Sequence, residues 1–233
     1  MYNTSLILDF LRQVARNNNR TWFQEHKPLY QAAKEEFERL VADAIPRLAQ
    51  FDPSIAHLKV SDATYRFYRD TRFSPDKSPY KRHLGAYIAA HGKKALHGGY
   101  YIHLEPGHCM LATGSYWLPT NILTATRNEI MANRERWDEC VRNPRFLELF
   151  GVPGEHQPED ERGFGLTMLK TAPAGFPRED EHIVYLRMRD YCAWTTIADD
   201  FFIHDGCLDR MAEVFATAKP MMDFMNNVID DYE

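Results

Sequence analysis

Apolar positions in the N-terminal part of the chain recur at intervals of three and four. Leu8, Leu11 and Val14 predict a first helix, and Asn17-Asn18-Asn19 supplies residues that tolerate the left-handed backbone of a helix end. Thr21 precedes Gln24 by three residues, the spacing of a capping box, so a second helix is expected to start there or at Pro28. Tyr30, Ala33, Phe37, Leu40, Val41 and Ala44 carry the amphipathic pattern on to Ile45, and Pro46 should end or kink that helix. Near Asp62 the period changes to two. "ATYRFYRDTRF" alternates Tyr65, Phe67 and Arg69 with Arg66, Tyr68 and Asp70, which predicts a strand bearing cations on both faces. "SPDKSP" is turn chemistry.

Three β-prone runs follow, "HLGAYIAA", "GGYYIHLE" and "CMLATGSYW", with glycine-containing breaks and a short "EPGH" connection, the pattern of an antiparallel sheet. After Pro119, Ile122, Ile130 and Trp137 fit one or two helices ending near Phe150. The stretch 151–165 holds four Gly, two Pro and four acids and reads as a mobile acidic loop. "LTMLKTAP" reads as a strand, "HIVYLRMRDYC" as a helix, "AWTTIA" as a strand, and the chain from Gly206 as a C-terminal helix interrupted at Pro220. The expected fold class is α+β, with a central antiparallel sheet flanked by N-terminal and C-terminal helices in a single domain over 1–233.

Length and composition narrow the function classes. A chain of 233 residues can bury a core without staples. No run approaches the ~18 apolar residues of a spanning helix, and Leu6-Ile7-Leu8 meets Asp9 too soon for a signal-peptide core, so a cytoplasmic protein with no membrane association is expected. Cys109, Cys140, Cys192 and Cys207 are far apart and form no C-x-x-C pair; they are expected to be reduced and mostly buried. The net charge of −5 argues against a protein that coats nucleic acid. Its distribution is uneven. Lys59, Arg66, Arg69, Arg72, Lys77, Lys81 and Arg82 face only Asp62, Asp70 and Asp76, so 24 residues carry +4 and the other 209 carry −9.

The stretches "FLRQVARNNNRTWFQEHK", "YRFYRDTRFSPDKSPYKRHLGAYI", "GYYIHLEPG", "GSYWLP" and "LKTAPAGFP" together resemble the DUF2461 family of bacterial and fungal proteins, in the same order over nearly the whole chain. The most specific parts are N-N-N-R-x-W-F at 17–23 and R-D-x-R-F-S-x-D-K-x-P-Y-K at 69–81. The resemblance implies membership and brings no established activity with it.

Arginine offers a planar fork of donors suited to carboxylate or phosphate, lysine a compact charge, and tyrosine a ring with a hydroxyl. Arg66, Arg69, Arg72, Lys77, Tyr80 and Lys81 are therefore the candidate binding residues for a small phosphate- or carboxylate-bearing ligand at a sheet edge, with Pro75 and Pro79 stiffening the turn. Asp70, Asp76 and Glu105 are the candidate acids or bases if the ligand is turned over. The competing account pairs the arginines internally with Asp62, Asp70 and Asp76. The alternative function is an interaction module whose basic strand docks an acidic protein segment, or a single-stranded nucleic acid stacked on Tyr65, Tyr68 and Phe73.

Two S-x-x-K matches, at Ser74 and Ser78, lack their K-T-G companion, and no G-x-S-x-G, Walker A or G-x-G-x-x-G motif occurs. His103 and Glu105 fall on one face of a strand, with His108 just beyond and His97 just before; imidazole and carboxylate so placed can hold a divalent metal. Ten scattered histidines are more often exposed or hydrogen-bonded, so no metal and no cofactor is assigned. Glu105 is also open to pairing with Arg66 or Arg69. Asn17 to Phe23 is explained, Arg20 apart, as helix capping followed by aromatic anchors, and Lys170, Arg187 and Arg189 are further candidates for a basic pocket.

Overall fold

The computed structural model describes residues 1–157 and 159–232; Pro158, within the predicted acidic loop, lies outside the described residues. Five strands form one antiparallel sheet in the order β1-β2-β3-β5-β4, comprising β1 (Leu84–Ile88), β2 (Gly99–Leu104), β3 (Met110–Ser115), β4 (Arg162–Phe164) and β5 (Tyr191–Thr196). With helices at both ends of the chain flanking this sheet, the fold is α+β, as the hydrophobic pattern predicts. Backbone proximity groups the chain into two compact units, one of 1–88, 101–110 and 197–212, the other of 89–100, 111–196 and 213–233.

In the first unit, α1 (Thr4–Arg16) buries Ile7, Leu8, Phe10, Leu11 and Val14 on one face. Asn3 caps it by accepting from the Leu6 amide at 3.1 Å. Its end differs from expectation: Asn17 has φ −132° and, among the described residues, none other than glycine has a positive φ, so the asparagine run ends the helix without a left-handed residue. Asn19 accepts from the Trp22 amide at 3.0 Å and starts α2 (Arg20–Glu25), so the cap lies two residues before the predicted Thr21. The third helix, α3 (Lys27–Leu48), runs through Pro46. That proline forgoes the amide bond to the carbonyl four residues back, and the burial of Ile45 and Leu48 beside it offsets the loss. The short α4 (Val60–Ala63) precedes the basic segment.

"ATYRFYRDTRF" forms no continuous strand. It makes the isolated antiparallel bridges Thr64↔Ala86 and Tyr68↔Tyr80.

The second unit contains α5 (Thr120–Ala132), α6 (Arg134–Val141), α7 (Pro144–Phe150) and the short α8 (Ile183–Arg187). Trp137 is fully buried between Tyr185 and Tyr191, both edge-on, with Phe224 5.1 Å from it. The predicted acidic loop contributes β4, which pairs with β5 through Gly163↔Trp194, while "LTMLKTAP" supplies only the bridge Met168↔Met188. Much of "HIVYLRMRDYC" is not helical: α8 stops at Arg187 and β5 begins at Tyr191. The last helix, α9 (Cys207–Asp230), continues through Pro220. Met221, Met222, Phe224 and Met225 are buried just beyond that proline, and their burial, at ~1.5–3 kcal/mol each, outweighs the ~3 kcal/mol that an interior proline costs. No described helix is long and apolar enough to cross a membrane.

Gly114 in β3 has φ +91°, and a Cβ there would overlap the carbonyl oxygen of Tyr191. Gly114→Ala is expected to lower the free energy of unfolding by ~3 kcal/mol or more, from strain plus displacement of a neighbouring strand. Denaturant unfolding of the variant beside wild type checks this.

Candidate functional site

The basic segment folds back on itself. Tyr65 N–H donates to Gly85 O at 3.1 Å, Lys81 N–H to Phe67 O at 3.0 Å and Arg69 N–H to Pro79 O at 2.9 Å. Phe67 points into the core with Phe10, Phe23 and Tyr30, whereas Arg66, Tyr68 and Asp70 are exposed. Tyr80, a predicted ligand contact, is only 2% exposed and stacks on Phe23 with ring centroids 4.0 Å apart. Its backbone is held at both ends by one side chain: Asn18 Nδ2 donates to Tyr80 O at 2.9 Å, and Asn18 Oδ1 accepts from Tyr80 N at 3.0 Å.

Three predicted ligand-binding cations are engaged within the segment. Arg69 donates to Asp76, to the hydroxyl and carbonyl of Ser78 and to the Ser74 hydroxyl. The Ser78 amide, its hydroxyl and Arg69 together hold the Asp76 carboxyl far below the usual carboxylate range. Arg72 grips Asp70 through Nε at 3.0 Å and Nη2 at 2.7 Å, which lowers the Asp70 pKa to about 2. Lys77 donates to Thr71 O at 2.9 Å. Asp70 and Asp76, the candidate acids or bases, therefore serve as acceptors for the loop's own donors.

Arg66 and Lys81 differ. Neither has a carboxylate within ion-pair distance among the described residues. Lys81 is half-buried with its ammonium 5.1 Å from the Tyr65 ring centroid, and burial and then Arg66 hold its pKa below the ordinary lysine value.

Two residues further on, His83 joins groups on and just after β2. Tyr101 and His103 of β2 and Glu105, just beyond its last residue, follow one another at a spacing of two. Tyr101 Oη lies 2.9 Å from His103 Nδ1, and His103 Nε2 lies 3.1 Å from Glu105 Oε2. The His83 ring centroid is 4.4 Å from that of His103. Burial, then His103 and Lys81, lower the His83 pKa to about 4, so its imidazole is neutral at neutral pH. The hydrogen bond from His103 keeps Glu105 below its usual pKa, and burial pushes the Tyr101 phenol up. Gly85 leaves room for that phenol: a Cβ there would stand 2.6 Å from Tyr101 Oη.

Glu105 thus pairs with His103 rather than with Arg66 or Arg69. His83, His103 and Glu105 each offer a ligand atom, all within 4.8 Å of one another, whereas the predicted companions His108 and His97 lie outside this group. His97 belongs to a second group with His91 and Asp230, in which the two rings stack at 4.0 Å and 12°. Sequence spacing along β2 found His103 and Glu105 and missed His83, which an antiparallel β1–β2 pairing brings in.

Elsewhere, Cys109 donates to Glu105 O and its thiol is pushed up to about 12, chiefly by burial, so it offers no thiolate. All four cysteines are free and buried. Arg187 donates to Leu169 O at 2.7 Å, and Lys170 and Arg189 are exposed. An apolar groove of about 440 Å³ lined by Ile45, Pro46, Ala49, Ala56, Leu58 and Val60 contains none of the residues of the histidine cluster.

No curated protein and no solved structure matches the chain. Residues 6–224 match the family described as conserved hypothetical protein (DUF2461), and both signature stretches, the asparagine run that clamps Tyr80 and the Arg69–Lys81 loop that it clamps, fall within that span. The chain belongs to the DUF2461 family.

Proposed function

We propose that the protein binds a small phosphate- or carboxylate-bearing ligand at the edge formed by Lys81, Arg66 and Tyr65, beside the His83–His103–Glu105 cluster. The observation that carries this reading is the half-buried Lys81 ammonium with no carboxylate at ion-pair distance. A partly desolvated cation lacks the water that would stabilise it, and a ring face offsets only ~1–2 kcal/mol of that loss. A ligand anion supplies the missing counter-charge, with Arg66 adding a fork of donors from the exposed side. The neighbouring imidazole–carboxylate pair provides a proton acceptor next to the bound anion, so any turnover at this site is of the acid–base type. Arg69, Arg72 and Lys77, already engaged, shape the loop and leave the ligand to their neighbours.

A second reading rests on Phe73, which is 93% exposed at the loop tip beside Arg72. An aromatic ring with an adjacent guanidinium suits an acidic protein segment.

Thermal unfolding of wild type, Lys81→Ala and Arg69→Ala against phosphate, phosphorylated metabolites and dicarboxylates separates these roles. Wild type should gain melting temperature with a matching anion by mass action. Lys81→Ala should lose that gain, and Arg69→Ala should keep it while melting lower without ligand. A gain that survives in Lys81→Ala sinks the proposal.

The loop network should also titrate. Asp70 and Asp76 have folded pKa values depressed below the unfolded value of ~3.9, so their contribution is full above that pH and is lost as pH falls towards 2. The difference in melting temperature between wild type and Arg69→Ala should therefore shrink on acidification from pH 5. For the second reading, Phe73→Ala should leave the anion response unchanged and abolish salt-sensitive capture by acidic peptides.

A further inference from the structure

We propose that His83, His103 and Glu105 form a binding site for a divalent first-row transition-metal ion of the zinc or iron type. Two imidazoles and one carboxylate are a donor set that suits such ions better than magnesium or calcium, which favour all-oxygen shells. Around an ion with bonds of ~2.1 Å, neighbouring ligand atoms stand ~3.0–3.4 Å apart. His103 Nε2 and Glu105 Oε2 are already 3.1 Å apart, and all three ligand atoms lie within 4.8 Å of one another.

The surroundings fit the same assignment. His103 lies in β2, Glu105 just after its last residue and His83 just before β1, so strand pairing positions the donors. The second nitrogen of His103 faces the Tyr101 hydroxyl at 2.9 Å, the outer hydrogen bond that orients a ligating imidazole. His83 and Glu105 are half-buried, which leaves a route of entry, while His103 is buried. Three protein donors leave coordination positions open. The group of His91, His97 and Asp230 is less suited, because its imidazoles lie nearly parallel, stacked face to face, and its carboxylate comes from the last residue of α9. This proposal rests on the anion reading in one respect only: an oxygen of that ligand would fill an open position.

The test uses full-length protein stripped with a chelator, titrated calorimetrically with Zn2+ and followed with Co2+ by its visible ligand-field absorption. Wild type should take up one equivalent at this site and develop the cobalt bands. His83→Ala and the near-isosteric Glu105→Gln should each weaken binding by ~100-fold or more, and Tyr101→Phe by ~10-fold. His91→Ala should bind as wild type does, circular dichroism confirming that every variant is folded. Absence of metal uptake by wild type overturns the proposal, as does uptake indifferent to both His83→Ala and Glu105→Gln, or lost in His91→Ala instead. An anion response in metal-free wild type with no metal uptake overturns the metal site and leaves the anion reading standing; metal uptake with no anion response does the reverse.

Discussion

The carboxamide of Asn18 presents a donor and an acceptor to the backbone of Tyr80, at 2.9 and 3.0 Å, and so stands in for a neighbouring strand. Side chains of an extended segment alternate between faces, and a slip of one residue would turn Lys81 and His83 to the opposite side. Their placement, one over Tyr65 and the other against His103, depends on that register. The energy comes largely from elsewhere. Two hydrogen bonds contribute about 1 kcal/mol each, whereas burying Tyr80 among Phe23 and Phe67 contributes more. The rings hold the segment down, and Asn18 decides which residue is held.

That division of labour extends to the charges. Arg72 and Asp70 are well exposed, and an ion pair in that setting adds little stability. Arg69 is more sheltered and reaches three residues of the returning chain, Ser74, Asp76 and Ser78, so it sets the shape of the turn. The cations of this acidic chain thus fall into two sets. One neutralises the loop's own acceptors, and the other, Lys81 and Arg66, has no carboxylate at ion-pair distance among the described residues.

The helices were legible because their apolar spacing is local: α1, α3 and the helices up to Phe150 lie where the pattern puts them. Prolines misled the reading at 46 and 220, since the burial of Ile45 and Leu48 at the first and of flanking methionines at the second outweighs a missing amide. Period two at 64–73 promised a strand, yet pairing there is reduced to isolated bridges. The strand within the acidic loop escaped notice, as three residues carry no period. The site was half legible. His103 and Glu105 are two apart in sequence, whereas His83 is brought to them by pairing between strands, which spacing does not reveal. The Arg69–Asp76 contact was among the pairings the charge pattern left open.

Tyr101 connects these parts. Its hydroxyl occupies space that any side chain at position 85 would take, so the glycine of "HLG" sets the height at which the phenol meets His103. Burial raises the phenol's pKa and keeps it protonated, and a protonated phenol both donates and accepts. It can donate to His103 Nδ1 while Nε2–H donates to Glu105, or accept from Nδ1–H when Nε2 is bare. Tyr101 therefore partners Nδ1 in either tautomer. For Nε2 to lose its proton the ring must take one up at Nδ1, so the rotating hydroxyl follows that exchange and does not replace it.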